Sequence, residues 1–277
     1  MKSQLSIGFD AKRIMKNTSG LGSYGRTLIN NLSTSEDIDI HLYSPSKGRE
    51  GLRKQIIERE NVHFHYWAGG LIPYGSSYWR SHGIIHDLKR DGIQLYHGLS
   101  GELPIGIHKS GIKSVVTIHD LIFLHHPEFY RQHDAKVYSW KFRHTIKEAD
   151  HFIAISECTK RDLIEYGHVD EDRISLIYQS CSPRFSVEYD KSVLERVRQK
   201  YALPQRYILN VGTIEVRKNI LQAVKALHYL PEDIALVIIG SYKVYTKKVI
   251  DYVKSHSLNH RVLLLHDVPD EDLPAIY

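Results

Sequence analysis

Two parallel-sheet α/β domains are what this sequence predicts. Apolar runs of strand length alternate with helical patterns along the whole chain, which is the signature of βαβ units. The alternation restarts after Pro204, so a second unit follows the first. Beyond a short apolar strand, Tyr207–Val211, comes a glycine turn and then paired cations at the start of a helical pattern.

In chain order, the strand candidates of the first unit are Leu5–Phe9, Ile38–Tyr43, Val62–Tyr66, Ile93–His97, Ser114–His119, Phe152–Ile155 and Arg173–Tyr178. Helices fall between most of them. Tyr24, Leu28 and Leu32 share one helical face, and a helix over Thr159–Tyr166 follows Ser156 as N-cap and precedes Gly167 as C-cap. Residues 1–182 form the first domain. The stretch 183–204 starts with Pro183, has no clean period at first, and reads as an interdomain crossover with a short helix over Val193–Tyr201. Residues 205–277 form the second domain, with strands Tyr207–Val211, Ala235–Ile239 and Val262–Leu265 and helices Asn219–Leu230 and Tyr245–Ser255.

The composition is that of a globular protein, 42% hydrophobic and 25% charged in 277 residues. A formal charge of +5 suits a phosphate-bearing substrate or an anionic membrane surface without requiring either. No run of like charges forms a nucleic-acid arm. Two cysteines, Cys158 and Cys181, make no disulfide framework. Met1–Ser6 is polar and mixed, unlike a signal peptide, and no apolar stretch is long enough to span a bilayer. These features predict a cytoplasmic protein, with contact at a cytoplasmic membrane face left open. Histidine is abundant, at 18 residues, and the sequence offers no single reason for it.

Ligands of open parallel sheets sit beyond the carboxyl ends of the strands. That rule selects Asp10, His97, His119, Asp120, Ser156, Gly212 and Gly240, lining one side of each unit and facing a cleft. Arg217 and Lys218 stand at a helix start, where cations are disfavoured unless an anion compensates, and so mark a phosphate site. The segment S-G-L-G-S-Y-G, Ser19–Gly25, fits G-x-G-x-x-G, yet it does not follow a strand directly and no acid ends the second strand. It reads either as a glycine loop that lets a sugar or phosphate approach the backbone or as a plain turn before a helix. His119 is either a ligand for a substrate hydroxyl or a satisfied buried histidine. A metal held by His119, Asp120, His125 and His126 lacks ligand spacing. Ser156 reads as a cap, since no elbow motif surrounds it.

Four blocks in order carry a family resemblance: F-D-A-K-R with S-G-L-G-S-Y-G-R-T-L-I-N-N-L; V-V-T-I-H-D-L-I-F-L-H-H-P-E-F-Y; A-D-H-F-I-A-I-S-E-C-T-K-R-D-L with R-I-S-L-I-Y; and I-L-N-V-G-T-I-E-V-R-K-N. The chain resembles the family-four, group 1 retaining glycosyltransferases. The resemblance implies the GT-B fold, two Rossmann-like domains facing a cleft. It implies a hexosyltransferase that moves a sugar, mannose or glucose by family habit, from a nucleotide-sugar donor to a glycan or lipid-linked acceptor in polysaccharide biosynthesis. Lys218 falls on the diphosphate-binding lysine. Thr213 stands where the family often has arginine, leaving Arg217 as the second cation. His119 falls on the histidine near the donor sugar, with Asp120 beside it, and Gly20 and Gly22 fall on the donor–acceptor loop. Asp267 and Val268 fall on a loop passing the nucleotide base. No metal or other cofactor and no nucleic acid are implied. The family's later pair of glutamates has no counterpart before Tyr277, so the second domain is expected to be incomplete and the chain to be inactive by itself. Two other readings stay open: a non-catalytic binder of nucleotide sugars, and a dinucleotide-dependent oxidoreductase.

Overall fold

The computed structural model describes residues 4–69 and 74–277; residues 1–3, which open the polar start read above, and residues 70–73 lie outside the described residues. Its contacts divide the chain into two compact units, Met1–Cys181 and Ser182–Tyr277.

The first unit is built on seven parallel strands: β1 (Leu5–Asp10), β2 (Ile38–Ser44), β3 (Val62–Tyr66), β4 (Leu95–Gly98), β5 (Lys113–Ile118), β6 (His151–Ala154) and β7 (Ile174–Leu176). Their spatial order is β3-β2-β1-β4-β5-β6-β7. The chain therefore winds outward from β1 to β3, then returns to place β4 on the other side of β1. The switch point between β1 and β4 opens a crevice at their carboxyl ends. Both sheet faces are covered. Ile7, Phe9, Ile14, Ile29, Ile40 and Leu42 make one apolar cluster; Tyr96, Val116, Phe142, Phe152 and Leu163 belong to another. Strands buried on both faces explain the near-continuous apolar runs that made them legible.

Differences from the sequence reading are local. The fourth strand begins at Leu95, because Ile93 belongs to a turn closed by Gly92 at φ 69°. The helix Glu157–Gly167 runs through Gly167, and His168 takes the left-handed position at φ 50°. Gly167 is there for packing: a Cβ on it would stand 3.2 Å from Ile146, Phe142 and Val169. Ser156 does cap this helix, accepting the Thr159 amide at 3.1 Å.

The second unit has three parallel strands, β8 (Arg206–Val211), β9 (Ile234–Ile239) and β10 (Val262–Leu265), in the order β10-β9-β8. The central strand β9 is buried on both sides. Leu236 and Ile238 pack on Ile220, Val224 and Val249, whereas Val237 and Ile239 pack on Val197, Leu203 and Ile276. The segment 183–204, expected as a crossover, is part of this unit. Its helix Lys191–Lys200 buries Val197 against β9, so the stretch contributes core.

Candidate active site

Each carboxyl-end residue picked from sequence does stand at a strand end, but they separate into buried and accessible groups. Asp10 ends β1 and is 3% exposed; Arg80 grips it, with Nη2 2.6 Å from Oδ2. The second guanidinium nitrogen, Nη1, lies 2.6 Å from Glu102 Oε2, and Lys141 Nζ is 2.9 Å from Glu102 Oε1. Burial alone would raise the Glu102 carboxyl; the Arg80 and Lys141 charges outweigh it and hold it down at about 2. Asp10 is therefore an anchor for Arg80 and does not present its carboxylate to a ligand. His97 is likewise buried, bonded through Nε2 to Thr117 Oγ1 at 2.9 Å. Burial, with the charge of His119 adding to it, pushes it down to about 4.

A pocket of about 410 Å³ opens in the first unit, over the end of β1. Lys12, Arg80, Glu102, Trp140, Lys141 and His144 are among its walls. Lys12 makes no ion pair among the described residues, and its ammonium is lowered by burial and by neighbouring Arg80. The Trp140 ring is stacked on His144, with centroids 5.3 Å apart, and stays about half exposed. Cations beside an open aromatic face suit a sugar that carries negative charge. Of these residues only Lys12 lies in a block that the sequence singles out, F-D-A-K-R. Arg80 lies in a π-helical turn, Trp79–Gly83, and Trp140 in the helix Gln132–Glu148, neither of which has a motif.

His119 follows β5 directly. Its Nε2 donates to the Leu99 carbonyl at 2.9 Å, which leaves Nδ1 as the acceptor facing Gln179 Nε2 at 2.9 Å. Burial lowers its pKa, against the Leu99 bond and the Asp120 charge. The imidazole is thus neutral, with a fixed tautomer and one lone pair. Tyr24 stands edge-on to it, centroids 5.0 Å apart, and its hydroxyl meets Thr117 Oγ1 at 3.0 Å. Asp120 is exposed and only weakly accepts the Ile122 amide, at 3.4 Å. The four-residue metal set does not converge: His125 turns to Asp162 at 3.0 Å and His126 to Glu128 at 2.9 Å.

The glycine segment forms the first turns of the helix Gly20–Leu32 and is separated from β1 by another short helix, Lys12–Lys16. This is not the strand–glycine–helix junction of a dinucleotide site. Gly20 is exposed, with nothing within 4 Å of where a Cβ would stand, and Ser19 provides no side-chain cap. Gly22 differs: a Cβ there would lie 2.0 Å from the Asn17 carbonyl oxygen, so its glycine serves packing. Tyr24 comes from the same helix, which joins this segment to His119.

In the second unit, Gly212 follows β8 with φ 155°, and Gly240 follows β9. The two loops touch, with Gly212 N bonded to Ile239 O at 2.8 Å and Ile214 N to Ser241 O at 3.2 Å. Arg217 and Lys218 sit in the turn Val216–Lys218 just before the helix Ile220–Ala226. They are not equivalent. Arg217 pairs with Glu215 at 2.7 Å, whereas Lys218 is exposed and has no ion pair among the described residues. Val268 is half-buried, its side chain packing partly against the apolar cluster around Val237 and Ile239. Asp267 beside it is left-handed, at φ 53°.

Two parallel-sheet units with polar residues gathered at the strand ends define a protein of the GT-B fold class. Residues 18–183 match the family described as Glycosyltransferase Family 4, and residues 194–277 match Glycosyl transferases group 1. The chain belongs to these glycosyltransferases. It is 28% identical over 196 residues to the serotype-specific mannosyltransferase WbdA of Escherichia coli, covering 67% of this chain and 24% of that protein. It is 27% identical over 188 residues to the O-antigen chain mannosyltransferase B of Escherichia coli, covering 66% of this chain and 48% of that protein. The chain thus spans about a quarter of the length of the first of these relatives and about half of the second. Among solved structures, Anabaena Alr3699/HepE in complex with UDP and glucose superposes with a TM-score of 0.67 at 15% identity, covering 99% of this chain and 71% of that one.

Proposed function

We propose that this chain transfers a hexose, mannose before glucose, from a nucleotide-sugar donor to a hydroxyl of a glycan or lipid-linked acceptor, with retained anomeric configuration. One observation carries the reading: Lys218 is an exposed cation with no carboxylate partner among the described residues, on the loop beyond the Gly212 turn, in the part of the chain that matches group 1. A diphosphate supplies the missing anion. The relatives' names as mannosyltransferases put mannose first.

In this reading the acceptor oxygen bonds to the anomeric carbon while the bond to the diphosphate breaks. The electron pair leaves with the nucleoside diphosphate, and the acceptor proton passes to a phosphate oxygen. Lys218 stabilises the charge that develops, with Arg217 second because Glu215 already holds it. No metal is required for that neutralisation. The neutral His119 accepts a hydrogen bond from a sugar hydroxyl at Nδ1, and Asp120 acts beside it on the loop. The pocket of Lys12, Arg80 and Trp140 receives the acceptor. A lipid-linked acceptor and the +5 charge fit work at the cytoplasmic face of an anionic membrane. Among the described residues no helix is long and apolar enough to cross one.

The test offers the purified chain guanosine and uridine diphosphate derivatives of mannose and glucose, with and without a lipid-linked glycan acceptor. Acceptor-dependent release of nucleoside diphosphate, with the product anomer read by NMR, supports the reading. Binding without transfer fits the inactivity expected of the chain by itself as well as the non-catalytic binder, and transfer by a longer form of the protein separates the two. Binding of NAD with no affinity for any nucleotide sugar sinks the proposal in favour of an oxidoreductase.

A further inference from the structure

Strands β2 and β3 gather histidines on one face, away from the candidate active site. The side-chain period of two aligns Asp39, His41 and Tyr43 along β2, and the register pairs His41 with His63 and Tyr43 with His65. Asp39 is contacted at both oxygens: His41 Nε2 lies 2.9 Å from Oδ2 and His63 Nε2 2.8 Å from Oδ1. One ligand atom from each of the three residues lies within 4.8 Å of the others.

Behind His41 the contacts continue. His41 Nδ1 is 2.9 Å from His65 Nε2, and His65 Nδ1 is 3.4 Å from Asp91 Oδ2, which also accepts the Tyr43 hydroxyl at 2.8 Å. Asp39, His41, His65 and Asp91 therefore form a chain with a carboxylate at each end and three gaps between. Each gap needs one proton, and two neutral imidazoles bring only two. With both N–H groups directed toward Asp39, His65 Nδ1 meets Asp91 lone pair to lone pair. That gap is the long one, at 3.4 Å, outside the ordinary N–H···O range of ~2.7–3.2 Å.

One more positive charge at the Asp39 end completes the chain. A cation between Asp39 and the two Nε2 atoms lets His41 bind through its Nε2 lone pair. Its Nδ1–H then donates to His65, whose Nδ1–H donates to Asp91. A ligating imidazole that passes its other N–H toward a carboxylate is the usual outer support of a metal site. We propose that Asp39, His41 and His63 bind a divalent transition metal, zinc by ligand type, which staples the edge strand β3 to β2. Ligand atoms around tetrahedral zinc stand roughly 3.3 Å apart; the two contacts of Asp39 need to open slightly, and all three ligand atoms already lie within 4.8 Å of one another. His63, with its side chain 44% exposed, gives the ion its entry and leaves a fourth position to water. Asp39 is near the start of β2, whereas His119 and Asp10 stand at carboxyl ends, so the ion takes no part in sugar transfer.

The experiment titrates metal-stripped, tag-free chain with Zn²⁺ in a calorimeter and records the visible spectrum with Co²⁺. One ion per chain at micromolar affinity or tighter is expected, with intense tetrahedral Co²⁺ bands and a raised unfolding midpoint. Asp39→Asn and His63→Ala should each weaken uptake at least ~10-fold and lose the bands, while His63→Cys restores them. His63 is exposed, so these variants are expected to keep the wild-type fold; His63→Gln serves if Ala does not. No uptake by the wild type overturns the proposal. Equal uptake by wild type and variants also overturns it, by moving the ion to other histidines.

Discussion

Gly240 lies against Gly212 so closely that a Cβ on Gly240 would stand 1.8 Å from the Gly212 carbonyl oxygen. The neighbour is backbone, fixed by the Gly212 amide bond to Ile239 O, and cannot swing aside. Gly240→Ala must therefore push the Gly212–Thr213 loop outward. The expected cost is about 1–3 kcal/mol of stability, as for overpacking elsewhere. Nucleoside diphosphate binding should weaken as well, because Lys218 follows on the displaced loop. Thermal unfolding and calorimetry check both; an unchanged midpoint and affinity would show that the loop is not held as described.

Lys218→Ala should weaken nucleoside diphosphate binding by about 1.5–3 kcal/mol, the worth of a charge-assisted hydrogen bond, or ~10- to 150-fold in Kd. Arg217→Ala should cost less, since Arg217 already spends its charge on Glu215. Calorimetry on the two variants separates them. Equal losses would mean that Glu215 releases Arg217 on binding, and no loss at Lys218 would remove it from the donor site.

The fold was legible because its central strands are buried on both faces and bounded by glycines and polar turns. A run such as Ile234–Ile239 has one plausible conformation in that setting. Single side chains were harder. Asp10 and His97 were rightly placed at strand ends, but sequence gives no sign that Arg80 and Thr117 occupy them from inside. Gly20 and Gly22 look alike as letters, yet one faces open space and the other a carbonyl oxygen. Tyr24 was read as helix periodicity although it lies edge-on to His119. Gln179, 60 residues from His119 in the chain, has no motif at all. Long-range polar contacts of this kind leave no periodic trace.

His97 should make the first unit acid-sensitive. Its folded pKa, about 4, lies below the ordinary value of 6.5, so the unfolded chain binds the proton first. The stability it contributes is complete above about 6.5 and is lost as pH falls toward 4. At ~1.4 kcal/mol per unit the loss approaches about 3 kcal/mol. Denaturant unfolding between neutral and acid pH should show this slope in the wild type and a shallower one in His97→Asn. Identical slopes would assign the acid sensitivity elsewhere.

His119 should matter for turnover more than for folding. Its two hydrogen bonds, to Leu99 O and from Gln179, are worth about 1 kcal/mol each, so His119→Ala should move the melting temperature by only a few degrees. The transfer rate should fall much further, because the neutral Nδ1 lone pair is the group offered to a sugar hydroxyl. Gln179 occupies that lone pair here, and a substrate must displace it. Gln179→Ala should therefore lower KM or leave it unchanged while keeping kcat, whereas His119→Ala lowers kcat. The pKa of His119 is held below its usual value by burial, so its lone pair stays available through neutral pH and is lost only as protonation sets in below that value. Steady-state kinetics on both variants across pH decide the point. A His119→Ala chain that unfolds early but transfers normally when folded would make His119 a structural histidine of the first unit.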